Sequence, residues 1–130
     1  MEKSKQLLIV EDELSIRDFF FEIFDDYCDV QLAANGKEAY SLLDKTVPDI
    51  LILDIMMPEI SGFDVLKTVR EDERFDKTII IMVTALNDME TTRKALKEGA
   101  DDIVYKPFNI SNIRTKVQLM FRLKDRLLGK

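Results

Sequence analysis

Histidine is absent from this 130-residue chain. No Ser–His or Cys–His couple can exist, and no imidazole can ligate a metal or carry a phosphoryl group. Cysteine occurs once, at Cys28, which excludes an internal disulfide framework and any multi-cysteine zinc site. Long apolar runs are missing too. After Lys3 and Lys5 the chain offers only Leu7, Leu8, Ile9 and Val10 before Glu11. A signal peptide needs a longer stretch, and a membrane span needs about 20 residues. The expectation is a cytoplasmic protein with no membrane association. Internal repeats, low-complexity tracts and Gly/Ser linkers are also lacking, and the length suits one domain over residues 1–130. Positive charge is in the minority, with 19 basic against 25 acidic residues. An acidic chain is a poor nucleic-acid binder by itself, so no direct nucleic-acid contact is expected.

What remains is a pattern of alternation. Residues 6–10 form a short continuous apolar run, the mark of a strand buried on both faces. Helical spacing follows over 14–26. A second strand is expected over 28–34, then a helix over 36–45 with Asn35 as its N-cap and Glu38 completing a capping-box-like start. A buried strand over 50–53 ends at Asp54, and 62–70 is helical. The β-branched run 79–83 is a fourth strand. Asp88 caps a helix that ends at Gly99, a left-handed cap. Residues 103–105 make a fifth strand, and a last helix runs from about 111 to 128. Strand and helix alternate five times, which implies a parallel sheet with helices on both faces. Five such units fit a flavodoxin-like doubly wound α/β fold with strand order 2-1-3-4-5.

In such a fold, ligands bind outside the carboxyl ends of the strands. Glu11 and Asp12 follow the first strand, and Asp54 ends the third. Thr84 follows the fourth and Lys106 the fifth. Each has a plain structural reading alone: an acid pair caps a helix, a threonine ends a strand, a lysine is solvated. Together they bring three carboxylates and one ammonium to one edge. That cluster would repel an anionic substrate unless a divalent cation sat in it. Oxygen-only ligands select a hard ion, and few carboxylates plus waters suit Mg²⁺, with Mn²⁺ as a substitute. With the metal in place, Asp54 can act as a carboxylate nucleophile and form an aspartyl phosphate. Lys106 and the Thr84 hydroxyl would then meet the phosphoryl oxygens.

These residues resemble the receiver domain of two-component response regulators over nearly the whole chain. Leu8 to Glu13 looks like that family's first strand and acid pair. Asp54-Ile55-Met56-Met57-Pro58, with Gly62 four residues on, looks like its phosphoacceptor segment. Thr84-Ala85 looks like its switch hydroxyl and following small residue. Gly99-Ala100-Asp101-Asp102 leading to Lys106-Pro107-Phe108 looks like its fifth-strand signature. The resemblance implies that Asp54 accepts a phosphoryl group from a histidine kinase or a histidine phosphotransfer protein. It implies that Asp12 and Asp54 contact Mg²⁺ directly, Glu11 through water, and Met56 through its backbone carbonyl. It further implies that Thr84 and Lys106 bind the phosphoryl group, that the Lys106-Pro107 bond is cis, and that the output runs through helix 4, strand 5 and helix 5. Met56 and Leu86 flank the path a hydrolytic water would take.

Two positions depart from the family pattern. Ile103 stands where the family often has an aromatic switch residue, and Tyr105 lies two residues on, on the same strand face. On the last helix Lys116 matches a basic position used in one kind of dimer, but Gln118 stands where a second arginine is common. Phe20, Ile23, Phe24 and Tyr27 form one stripe on the first helix, with Ile16 and Phe19 at its margin and Phe21 off it. The margin either packs on the sheet or, with Ser15, docks the phosphodonor. The last segment, 106–130, carries seven basic residues and one acidic. Its stripe of Ile110, Ile113, Val117 and Phe121 is joined by Met120, Leu123 and Leu127. It reads either as a solvated amphipathic helix or as a surface for a homodimer or an effector domain. Two alternatives stand behind the switch reading. One is a pseudo-receiver that never takes phosphate, and the other a flavin-binding electron carrier. The second is disfavoured because Glu11, Asp12 and Glu13 occupy the loop that would have to cradle a phosphate.

Overall fold

The structure, a computed structural model, describes residues 2–127, with side chains from residue 5 onward. Five strands, β1 (Glu2–Val10), β2 (Cys28–Ala33), β3 (Ile50–Asp54), β4 (Ile79–Thr84) and β5 (Asp102–Tyr105), alternate with five helices. These are α1 (Leu14–Phe24), α2 (Gly36–Leu43), α3 (Gly62–Arg70), α4 (Met89–Lys97) and α5 (Ile110–Leu127). All neighbouring strands are parallel, in the order β2-β1-β3-β4-β5. The doubly wound topology read from the sequence is the one observed.

The two-residue period of the strands divides the core in two. Leu8, Val10, Leu51, Leu53, Ile80 and Met82 face α2, α3 and α4, meeting Leu43, Val65, Leu66 and Val69. Leu7, Ile9, Ile50, Ile52, Ile81 and Val83 face α1 and α5, meeting Phe20, Ile23, Phe24, Ile113, Val117 and Phe121. Burial on both faces is why these strands read as unbroken apolar runs. It also fixes register, because a slip of one residue would exchange the two faces.

Helix starts follow the capping residues. Asn35 Oδ1 accepts from Glu38 N at 2.9 Å, while the Glu38 carboxylate reaches back to Ala34 N at 2.8 Å. That capture of the Ala34 amide ends β2 at Ala33 rather than at residue 34. Asp88 caps α4 through Thr91 N at 2.7 Å. Ser61 and Asp64 form a reciprocal capping box on α3. Gly99 takes φ 112° just past α4, as its expected left-handed cap requires.

Several expected boundaries shift. β1 begins at Glu2, because its polar opening residues pair with β2 past a register irregularity between Glu2 and Gln6. An apolar-run criterion cannot see them. α1 and α2 stop two residues short of expectation, at Phe24 and Leu43, each closing in a turn. A 3-10 turn at Glu73–Phe75 precedes β4. α5 starts one residue early, at Ile110, and the expected end at Leu128 lies outside the described residues. Ile110 is 51% exposed, so it leaves the buried stripe assigned to it. Phe108 packs on the α1–α5 core instead, stacked on Phe20 at 5.1 Å and tilted against Phe19 at 6.0 Å.

Candidate functional site

Four strands end at one place. Glu11 and Asp12 leave β1, Asp54 ends β3, Thr84 ends β4, and Lys106 leaves β5. Backbone pairing carries this alignment past the last ladder rungs. Asp54 pairs with Val83 and Thr84 with Tyr105, while Lys106 N donates to Thr84 O at 2.8 Å. Glu11, Asp54 and Thr84 are buried, although each carries polar atoms. Asp12 is exposed above them.

One oxygen from each of Glu11, Asp12 and Asp54 lies within 4.8 Å of the others. Lys106 Nζ stands 3.0 Å from Glu11 Oε1 and 3.5 Å from Asp54 Oδ1. Its approach to Glu11 is an ion pair outside hydrogen-bond angles, so Oε1 is buried without a directed donor. Glu11 Oε2, by contrast, accepts from Glu13 N at 3.1 Å. A buried acceptor left without a donor costs about 1–3 kcal/mol, more when charged. Burial, reinforced by the Glu11 carboxylate, pushes the Asp54 carboxyl up to about 7 against the pull of Lys106. Burial also opposes the charge on Lys106, but Glu11 and Asp54 outweigh it and hold that pKa above the ordinary lysine value.

A hard divalent cation fits this set. The candidate ligand atoms are all oxygens, one of them is buried with no hydrogen bond beyond its Lys106 ion pair, and two of the three carboxylates are buried. The Met56 carbonyl, which accepts no backbone hydrogen bond among the described residues, leaves the same edge in the loop after β3. Gly62 holds that loop tight. Its amide donates to Ile55 O at 2.9 Å, and a Cβ there would sit 2.2 Å from Asp54 O. Only glycine lets α3 begin this close to the acidic strand end.

The remaining expected residues fall around this centre. Thr84 Oγ1 accepts from Leu86 N at 3.0 Å. The Lys106–Pro107 peptide is cis. Ala85, Lys106, Pro107 and Phe108 share a cavity of about 370 Å³ with Ile16 and Phe19. Those two α1 residues pack on the α1–α5 core, the first of the two readings, and they also line an open recess beside Lys106. Ser15 is exposed on the same helix. Ile103 packs into the α2–α4 core, whereas the Tyr105 hydroxyl hydrogen-bonds Thr92 on α4. Lys116 is engaged within the chain, 2.6 Å from Asp102 on β5.

A family description, "Response regulator receiver domain", matches residues 7–118. The chain belongs to this family. Transcriptional regulatory protein CiaR of Streptococcus pneumoniae is 32% identical over 117 residues, covering 90% of this receiver and 51% of that protein. The DNA-binding dual master transcriptional regulator RpaA of Synechocystis is 32% identical over 123 residues, covering 94% and 51%. This receiver thus spans about half the length of such curated relatives. Among solved structures, the chemotaxis response regulator CheY4 of Vibrio cholerae superposes with a TM-score of 0.84 at 31% identity, covering 89% and 98% of the two chains. The receiver domain of Francisella response regulator 1452 gives 0.84 at 30%, covering 91% and 97%. No helix among the described residues is long and apolar enough to cross a membrane.

Two features of this receiver escaped sequence reasoning. Arg17 donates to the carbonyls of Glu11 and Asp12. Arg70 ties three carbonyls and Asp101 together at the opposite end of the sheet. Both donate to backbone oxygens, which no residue pattern reveals.

Proposed function

We propose that this receiver, read as one domain over residues 1–130, is a phosphorylation switch in which Asp54 accepts a phosphoryl group from phosphohistidine. The donor is a histidine kinase or a histidine phosphotransfer protein. The observation that carries the reading is the buried Glu11–Asp12–Asp54 cluster with Lys106 against it.

An Asp54 oxygen attacks phosphorus, the P–N bond to the donor imidazole breaks, and the imidazole leaves with the electron pair. Glu11, Asp12, Asp54 and the Met56 carbonyl would hold Mg²⁺ or Mn²⁺, which would supply the positive charge that offsets the carboxylates and the incoming phosphoryl oxygens. The other tasks belong to the chain. Ionised Asp54 is the nucleophile, and its pKa, raised to about 7 even with Lys106 beside it, means that a bound cation would be needed to hold it fully charged. Lys106 turns from Asp54 toward a phosphoryl oxygen. The Thr84 hydroxyl exchanges its Leu86 amide donor for a bond given to another phosphoryl oxygen. Ala85 and Pro107 line the recess beside Lys106, next to the α1 residues Ile16 and Phe19.

Movement of Thr84 reaches Tyr105, its neighbour across β4 and β5, and through Tyr105 it reaches Thr92 on α4. Tyr105 serves as the switch aromatic, with Ile103 as its packed companion. The two phosphorylation states differ in the population of two arrangements of the α4–β5–α5 surface. That surface presents Met89, Leu96 and Leu119, all exposed, to a second copy or an effector domain. Ser15, Ile16 and Phe19 form the donor's docking face. The receiver works in the cytoplasm, without contacting nucleic acid itself.

Mass spectrometry after treatment with acetyl phosphate and Mg²⁺ tests the reading. One phosphate adduct is expected on the wild type and none on Asp54→Ala or in chelator. An adduct on Asp54→Ala, or none on the wild type, removes the assignment and favours a phosphate-free interaction module.

A further inference from the structure

Arg17 lies in the first turns of α1, in a neighbourhood that is strongly acidic. Glu11, Asp12, Glu13 and Asp18 are all within six residues of it. It nevertheless forms no ion pair with any carboxylate among the described residues. Its Nη1 donates instead to two backbone oxygens, Glu11 O at 2.9 Å and Asp12 O at 3.3 Å. Those carbonyls belong to the two residues whose carboxylates open the acidic cluster.

The loop from β1 to α1 is held at three points. Glu11 N donates to Ala33 O at 3.0 Å, Glu13 N holds Glu11 Oε2 at 3.1 Å, and Arg17 holds both carbonyls. The first two bonds aim Glu11, which burial also constrains. Asp12 is exposed, so packing does little to aim it. Its direction depends on the peptide planes on either side, and Arg17 fixes both of those carbonyls.

We propose that Arg17 is a positioning residue for the divalent cation, acting through the Glu11 and Asp12 carbonyls to hold the acid-pair carboxylates in register with Asp54. This rests on the cation-site reading given above. Partners one step removed from metal ligands typically change metal affinity by roughly 10–100-fold when lost.

Electrostatics alone makes the opposite prediction. A guanidinium near a cation site repels the cation, so removing its charge would tighten binding. The sign of the effect therefore separates positioning from simple charge.

The test is Mg²⁺ titration of chelator-treated full chain, followed by calorimetry, for wild type, Arg17→Met and Arg17→Gln. Binding about tenfold weaker is expected for Arg17→Met. Arg17→Gln drops the charge but keeps an amide NH2 as donor, and it should fall between Arg17→Met and wild type. Melting of the metal-free variants reports any general loss of structure, and Arg17→Gln decides the matter if Arg17→Met does not fold. With acetyl phosphate as donor, labelling of Asp54 in the variants should need more Mg²⁺ yet reach the wild-type maximal rate. Unchanged or tighter Mg²⁺ binding overturns the role of Arg17 and leaves the switch reading intact. A lowered maximal rate with unchanged Mg²⁺ dependence also overturns it. No Mg²⁺ binding by the wild type overturns the cation site itself, and the role of Arg17 with it.

Discussion

The two edges of the same sheet are built on opposite principles. At the amino edge nearly every polar group has a partner. Arg70 donates to Gly99 O, Phe75 O and Thr78 O and to the Asp101 carboxylate, all at 2.8–3.0 Å. Asp101 also accepts from Ile80 N, Asp49 from Gln6 N, and Thr78 Oγ1 donates to Pro48 O. At the carboxyl edge Glu11 Oε1 is buried without a directed donor, and Asp54 is buried with its pKa near 7. One edge is satisfied and carries stability. The other is left in electrostatic tension, which a bound cation would relieve. Unfavourable buried charge is costly unless paired, so its concentration at one edge makes that edge the candidate ligand site.

The largest effect should come from the satisfied edge. Arg70→Ala leaves three carbonyls without their donor and Asp101 with only the Ile80 amide, and it should cost about 3–4 kcal/mol in denaturant unfolding. Arg70→Lys should recover only part, because one ammonium cannot span the fork's four acceptors. A loss under 1 kcal/mol for Arg70→Ala would break the contrast. Gly62→Ala should cost about 1–3 kcal/mol, since its methyl group would meet Asp54 O at 2.2 Å and the β3–α3 loop must shift. Its phosphorylation rate should fall too, because that shift displaces Asp54.

The tense edge predicts a gain instead. A folded-state carboxyl near pH 7 against an ordinary 3.8 means that the unfolded chain ionises first as pH rises. Stability of the metal-free wild type should therefore fall between about pH 4 and pH 7. In chelator at pH 7.5, Asp54→Asn should melt roughly 2–4 °C above wild type, and the difference should vanish near pH 4. Equal melting at both pH values would show that Asp54 carries no such penalty. Added Mg²⁺ should raise the wild-type melting temperature and leave Asp54→Asn nearly unmoved. The smallest effect belongs to Tyr105→Phe. Loss of its bond to Thr92 should cost about 0.5–1.5 kcal/mol, with no change in the initial rate of phosphorylation. Its signature would be a smaller amide-shift response in α4 when Asp54 is phosphorylated.

Much of this was legible in the residues. Glu11, Asp12, Asp54, Thr84 and Lys106 could be gathered without coordinates, because parallel strands deliver their carboxyl ends to one edge. Elements buried on both faces read cleanly, as in β3 and β4. Those with polar margins did not, and β1 began four residues before its apolar run. Ile110 fitted a helical stripe by spacing, yet a stripe does not say where the sheet beneath it ends. Arg17 and Arg70 were illegible for a different reason. Their partners are mostly carbonyl oxygens, which every residue carries, so nothing in the side-chain pattern points to them.

Local chemistry, then, is written along the chain. Apolar period, capping residues and the residue type after each strand determined the topology and the chemical character of its functional edge. Only the tertiary structure decided how the charges there are balanced. Burial depends on what packs above a group, and the distance from Lys106 to Glu11 and Asp54 depends on three strands at once. Whether an acidic residue is a solvated cap or a tense, half-neutralised carboxyl is settled by that surrounding, not by its place in the sequence.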